Sequence, residues 1–262
     1  MPTSALHVAR TGLEAQDQRM RVIANNLANV STTGFKRDRA NFATLAYQNA
    51  RVAGAQSSSE TAYATGLNLG TGVSIQSTTR IETQGTLEQT DRSYDMALDG
   101  DGYFQVQLPG GQLGYTRAGN FSLTSEGQIV TTQGYPLQPP INVPEGTTSV
   151  TIAQDGTISA PVTGQAEATE LGQITIASFT NPAGLQAGSD NFLTETSASG
   201  PAQIGVAGEE GRGHIRQGML EGSNVNIVEE MVDMIETQRA YEINSKMISS
   251  VDEMLKNANQ TL

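Results

Sequence analysis

The hydrophobic positions of this chain obey one period at its two ends and another in its middle. Near the N-terminus Leu6, Leu13, Met20 and Leu27 recur every seven residues, and Ala9, Gln16, Ile23 and Val30 follow each of them by three. That is the a/d seam of a helix that packs lengthwise, with one polar d position. It predicts a helix from about Ser4 to Asn29, with Pro2 where a helix start tolerates proline. Near the C-terminus Met234, Tyr241, Ile248 and Leu255 repeat at the same interval, and Ile227, Met231, Ile235, Met247, Val251 and Met254 widen the apolar face. A second helix is predicted over about Asn226–Asn257. Asn226 and Glu229 open it at the spacing of a capping box, and Glu229 and Glu230 sit in its electropositive first turn. The two helices would be roughly 40 and 45 Å long. The pattern leaves two readings open: a helical hairpin inside one domain, or two helices that pair with each other and then with other copies.

The middle alternates with period two. Val73–Ile81, Tyr103–Leu108 and the stretch around Ile174 and Ile176 read as strands, and Leu123, Ile129, Val150, Ile152, Ile158 and Leu193 lie in similar short runs. Pro109-Gly110, Glu126-Gly127 and Asp155-Gly156 supply turns between them. Eight of the nine prolines fall between Pro109 and Pro201, whereas no glycine occurs from Leu13 to Thr33 or from Ser223 onward. Helix breakers are thus confined to the β-patterned part. The predicted class is α+β: long N- and C-terminal helices pairing in a coiled-coil-like way, with a central, mainly antiparallel β domain. The expected division is 1–45 with 222–262 as a helical domain, 46–74 as an extended Ser/Gly-rich segment, and 75–221 as the β domain. Asn49–Gly72 alone reads as a flexible linker, although it is long for a connection inside a compact domain.

Composition removes several function classes. The 262 residues carry 15 Lys+Arg against 27 Asp+Glu, a net charge of −12, with no Cys and no Trp. Phosphate binding needs clustered Lys/Arg, so nucleic acid is a poor partner. Without Cys there is no disulfide framework, thiolate nucleophile or thiolate metal site. No apolar run of spanning length exists, and the start shows no apolar core of a cleavable signal. The charge is uneven: residues 1–40 sum to +3, 221–262 to −5 and the middle to −10.

Chemistry is hard to nominate. His7 and His214 lack a second histidine or spaced carboxylates, so no metal site is expected. Asp99-Gly100-Asp101-Gly102 fails as a calcium loop, because Tyr103 and Gly110 stand where ligands are required. It fails as a dinucleotide fingerprint because Gln105 replaces the third glycine. Glu209-Glu210 and Glu229-Glu230 are adjacent, not facing, carboxylates. No catalytic residue, cofactor or metal ligand is predicted.

Three stretches carry a resemblance. Asn25–Arg37 reads NNLANVSTTGFKR, Glu221–Lys246 reads EGSNVNIVEEMVDMIETQRAYEINSK, and Asp99–Pro139 begins DGDGYFQVQLPGGQLGYTRAGNF. They resemble, in order, the two terminal signatures and the β-domain signature of the bacterial flagellar rod and hook family. Length and the Ser-rich Asn49–Gly72 segment are most similar to its distal rod branch; proximal rod and hook-type members are close relatives.

The resemblance implies a structural, non-enzymatic subunit that leaves the cell unfolded through the flagellar type III export apparatus, without a cleaved signal. It implies a helical homopolymer: a hollow, periplasm-spanning shaft that transmits torque from motor to hook. The implied partners are other copies of the chain, proximal rod proteins, the hook protein and the peptidoglycan and outer-membrane ring proteins. Its terminal helices would form the inner tube, with an interface at Leu6, Leu13, Met20, Ile23, Leu27, Met231, Met234, Tyr241, Ile248 and Leu255. The polar Asn25, Asn26, Asn224, Asn226 and Gln238 would bond inter-subunit backbone and fix helix register. Gly34 would turn the chain after the first helix with a positive φ. Phe35, Phe42, Leu45 and Tyr47 would pack that exit, and the Ser-rich segment would be a strut between subunits. A β-rich surface adhesin or carbohydrate-binding module whose helices merely trimerise is the alternative of a different class. A muramidase-like enzyme is a third.

Overall fold

The computed structural model describes residues 2–54, 56, 63–144, 147, 149–161 and 168–260. The chain divides into two compact units. One holds residues 1–27, 38–79 and 226–262; the other holds 28–37 and 80–225.

In the first unit, helix α1 spans Pro2–Ala28 and helix α2 spans Ile227–Gln260. Neither interior contains proline, and the single interior glycine is Gly12. The Asn226 side chain caps α2, its Oδ1 accepting from the Val228 amide at 3.1 Å and the Glu229 amide at 3.5 Å. Val30, assigned by spacing to the seam, falls beyond α1 in a turn. The helix stops before it as the chain bends through Asn29–Gly34, where the Thr32 amide bonds Asn29 O at 3.1 Å.

Between the helices runs a two-stranded ribbon. Strands β1 (Asp38–Thr44) and β4 (Val73–Arg80) pair, and beyond them β2 (Tyr47–Arg51) pairs antiparallel with β3 (Leu67–Gly70). The register Tyr47↔Gly70, Gln48↔Leu69 and Asn49↔Asn68 breaks at a bulge before Arg51↔Leu67. Composition suggested a linker here. Backbone pairing overrides it, because a ladder needs amides and carbonyls, not large side chains. The Arg51 guanidinium stacks 3.9 Å above the Tyr63 ring near the ribbon's tip. Residues 55 and 57–62 of the proposed strut lie outside the described residues. Phe42 and Tyr47 do not pack as expected; they are exposed, because a two-stranded ribbon has no second layer to cover them.

The second unit is β-rich, and its strand ladders are antiparallel. Its main sheet runs in the order Gln186–Ala187, Leu193–Thr194, Leu113–Thr116, Tyr103–Gln107, Thr175–Ser178, Gln203–Val206, with Leu137–Gln138 also bonded to the Tyr103 strand. Period-two alternation sorts this sheet's side chains between two apolar clusters. Phe104, Val106 and Ile176 enter the larger cluster with Phe121, Ile129, Ile158 and Ile174. Tyr103, Tyr115, Ala177 and Leu193 enter the smaller one with Phe179. Both faces of the Tyr103 strand are therefore covered, which the alternation of Phe with Tyr and Gln did not require. The buried Gln105 donates to Thr175 Oγ1 at 3.4 Å.

Candidate assembly interface

α1 and α2 touch at successive levels. Asn26 Nδ2 donates to the Glu230 carboxylate at 3.2 and 3.3 Å, Arg19 pairs with Asp233 at 3.4 Å, and Gly12 faces the Asn244 amide. Contacts descend α1 in steps of seven while they climb α2, so the helices run antiparallel. Among its described side chains, α1 buries Ala9, Thr11, Ala15, Ile23 and Asn26, mostly small or polar. Small side chains let helix backbones approach closely, and a β-carbon at Gly12 would lie 3.2 Å from Asn244 Nδ2. Leu6, Leu13, Met20 and Leu27 consequently lie at the shoulder of this contact, half-buried, and of the proposed α1 seam only Ile23 and Ala9 are fully covered.

On α2, Met234 and Ile248 are half-buried, while Met231, Gln238 and Tyr241 are exposed. The Leu255 side chain lies outside the described residues. Among the described side chains, nine large apolar residues of this one helix are exposed: Ile227, Val228, Met231, Val232, Ile235, Tyr241, Ile243, Met247 and Met254. An isolated surface helix usually keeps an apolar stripe on one face only. α2 keeps a second, uncovered one.

The asparagines act within the chain. Asn26 both donates to Asp38 O and accepts from Asp38 N, each at 2.9 Å. Together with its bond to Glu230 this joins the end of α1, the start of β1 and the first turn of α2. Asn224 accepts from the Arg37 amide at 2.7 Å and donates to Ile81 O at 2.8 Å and Thr83 O at 3.0 Å. One side chain thus ties together three non-strand segments of the second unit, at Arg37, at Ile81–Thr83 and at Asn224 itself. Asn25 is exposed and bonded.

A group that sequence reasoning did not single out lies beside Asn224. Glu221, with no exposed surface, binds Lys36 Nζ at 2.6 Å through Oε1 and Arg117 at 3.3 Å through Oε2. Oε1 also accepts from the Gly85 amide at 3.0 Å, and Lys36 Nζ donates to Thr83 O at 2.7 Å. Burial pushes the Lys36 ammonium pKa down, and the bond to Glu221 opposes that shift. The same Glu221 accepts from the Gly34 amide at 2.7 Å through its backbone oxygen. Gly34 has φ +66, as expected of the turn, and a β-carbon there would lie 2.6 Å from Ala118 N. Lys36, Arg117 and Glu221 all occur inside the three signature stretches. Charged residues within otherwise small and polar motifs were the available signal.

Three family models match the chain: "Flagella basal body rod protein" over residues 6–36, "Flagellar hook protein FlgE/F/G D1 domain" over 97–160, and "Flagellar basal body rod FlgEFG protein C-terminal" over 216–261. Similarity to curated relatives runs the whole length. The flagellar basal-body rod protein FlgG of Buchnera aphidicola subsp. Acyrthosiphon pisum is 52% identical over 98% of both chains. That of Caulobacter vibrioides is 46% identical over 98% of both. The chain belongs to the flagellar basal-body rod family. Similarity extends to the flagellar basal-body rod protein FlgF of Salmonella typhimurium, at 37% identity over 98% of both chains. Each matched segment supplies one member of the buried ionic group: Lys36 from the first, Arg117 from the second and Glu221 from the third. The family's three signatures therefore meet at one carboxylate in this rod-family chain. Among the described residues no helix is long and apolar enough to cross a membrane.

Proposed function

We propose that this chain is a structural subunit of the flagellar distal rod, not an enzyme, and that it polymerises helically into the hollow shaft carrying torque from motor to hook. The observation that carries this reading is the full-length similarity to basal-body rod proteins FlgG. The second apolar face of α2 supports self-association, since burying it gives roughly 25 cal/mol per Å². In this reading 1–45 and 222–262 form the polymer core, paired as a coiled coil through the α1 and α2 seams. The β domain, 75–221, lies outside that core. The partners are the proximal rod proteins, the hook protein, the rings of the peptidoglycan and outer membrane, and the export apparatus that passes the chain without cleaving a signal. The test is negative-stain electron microscopy of the concentrated, purified chain. Helical tubes are expected; closed oligomers of fixed size would point instead to the adhesin-like reading.

The ribbon has a role in the same picture. Small polar residues in 49–72 build no core, and a ribbon wedged between subunits opposes the sliding that bending requires. Deleting Gly54–Gly66 leaves both helices intact, so polymer is still expected, but curved and of shorter persistence length. Deletion filaments as straight and stiff as the parent would reduce the segment to a linker.

A further inference from the structure

The chain has neither Cys nor Trp, so the thioethers of its eight methionines are the groups that a peroxide attacks first. Four of the eight, Met231, Met234, Met247 and Met254, lie on α2. Met231, Met247 and Met254 are exposed by 51%, 47% and 61%, whereas Met96, in the larger cluster of the β-rich unit, has no exposed surface. Met20, Met219 and Met234 are half-buried. The three exposed thioethers sit in the apolar rows of α2, not among its charges. Met231 follows Val228 by three residues, in a row that continues to Val232 and Ile235. Met247 follows Ile243 by four and Met254 follows Met247 by seven, which keeps all three on one face. Val228, Val232, Ile235 and Ile243 are exposed as well.

We propose that Met231, Met247 and Met254 are oxidation sites of the unassembled chain, and that their sulfoxides hold an otherwise folded subunit out of the polymer. The proposal rests on the assembly reading above and adds a chemical condition to it: the thioethers must be reduced when the copies meet. The oxidant is a peroxide. A sulfur lone pair attacks one peroxide oxygen, the O–O bond breaks, and with hydrogen peroxide the products are a sulfoxide and water. The sulfur is oxidised by two electrons and the peroxide is reduced by two. The change turns a flexible apolar side chain into a polar, chiral one. Its new oxygen accepts hydrogen bonds, and valine and isoleucine neighbours offer no side-chain donor, so covering it in an apolar contact is costly. Met96 is out of reach of the oxidant while the β-rich unit stays folded. The lesion is therefore confined to the helix that has an uncovered apolar face, and the subunit loses its assembly surface without losing its core. Sulfoxides can be reduced enzymatically, so the block is reversible.

The unassembled full-length chain is treated with hydrogen peroxide over a time course, and peptide mass spectrometry reads each sulfoxide separately. Met231, Met247 and Met254 are expected to be modified first, and Met96 only once the β-rich unit unfolds. Oxidised chain is then sedimented across a concentration series. Its critical concentration for assembly should rise roughly tenfold or more. Treatment with the two methionine sulfoxide reductases, one for each sulfoxide epimer, should restore the parental value. The triple variant Met231→Leu, Met247→Leu, Met254→Leu conserves apolar volume and should assemble as the parent does, before and after peroxide. If that variant does not assemble, the time course decides, because loss of sedimentation must follow the sulfoxides at the three sites. Modification of Met96 as early as the three overturns the proposal. So does an unchanged critical concentration of the oxidised chain, a triple variant that assembles and is still peroxide-sensitive, or a loss of sedimentation that follows Met20 or Met219 instead. Untreated chain that never sediments as polymer overturns the assembly reading itself. That failure is distinguishable, since the order of modification is read on the unassembled chain.

Discussion

Glu221→Ala is expected to destabilise the β-rich unit by about 3–5 kcal/mol, the cost of removing one partner from a buried ion pair. The carboxylate has no exposed surface and faces both Lys36 and Arg117, so its removal leaves two cations without their counter-charge in a site that water does not reach. Lys36→Met should cost less, about 1–3 kcal/mol. The remaining Glu221–Arg117 pair is neutral, and what is lost is the bond from Lys36 to Glu221 and its bond to Thr83 O. The order of the two effects is the diagnostic feature. A cluster that acted merely by packing would penalise the loss of the long lysine stem at least as much. Denaturant unfolding of the full chain measures both variants. The chain has no Trp, so the signal is near-ultraviolet dichroism from the buried Tyr103 and Tyr115. Equal destabilisation by the two changes, or less than about 1 kcal/mol from Glu221→Ala, would remove the ionic account.

Met20→Glu and Ile248→Glu are each expected to abolish assembly while leaving the β-rich unit folded. Both side chains are half-buried within one copy, so a lone subunit can turn the new carboxylate to water. A polymer that closes over the seam cannot, and an unpaired buried charge costs several kcal/mol. The critical concentration should therefore rise about a hundredfold or more, with near-ultraviolet dichroism unchanged. Sedimentation across a concentration series gives the answer. If either variant assembles at the parental concentration, that residue does not belong to the interface.

Much of this architecture is legible in the residues because it depends on local rules. The seven-residue repeat, the absence of interior proline and the Asn226 cap suffice to place both helices within a few residues of their observed ends. Period-two alternation likewise finds the Val73–Arg80 and Tyr103–Gln107 strands, because pleated backbone sends successive side chains to opposite faces. Gly34 is legible for the same reason: a turn needing positive φ there favours glycine.

Other features exist only once distant segments meet. Lys36 and Glu221 stand 185 residues apart, and nothing in either neighbourhood says that a charge is buried there, since burial is a property of what packs over a residue. The face that α1 buries within one copy differs from its heptad seam for a related reason. A heptad counts the large residues, whereas close antiparallel contact selects the small ones, Ala9, Gly12 and Ala15, and leaves the leucines at the shoulder. The ribbon from β1 to β4 was hidden because backbone pairing has little signature in Ser, Ala and Gly. Sequence by itself thus determined the elements and the family. The tertiary structure decided which charges are buried, which helix face is used within a copy, and which apolar faces remain for the next one.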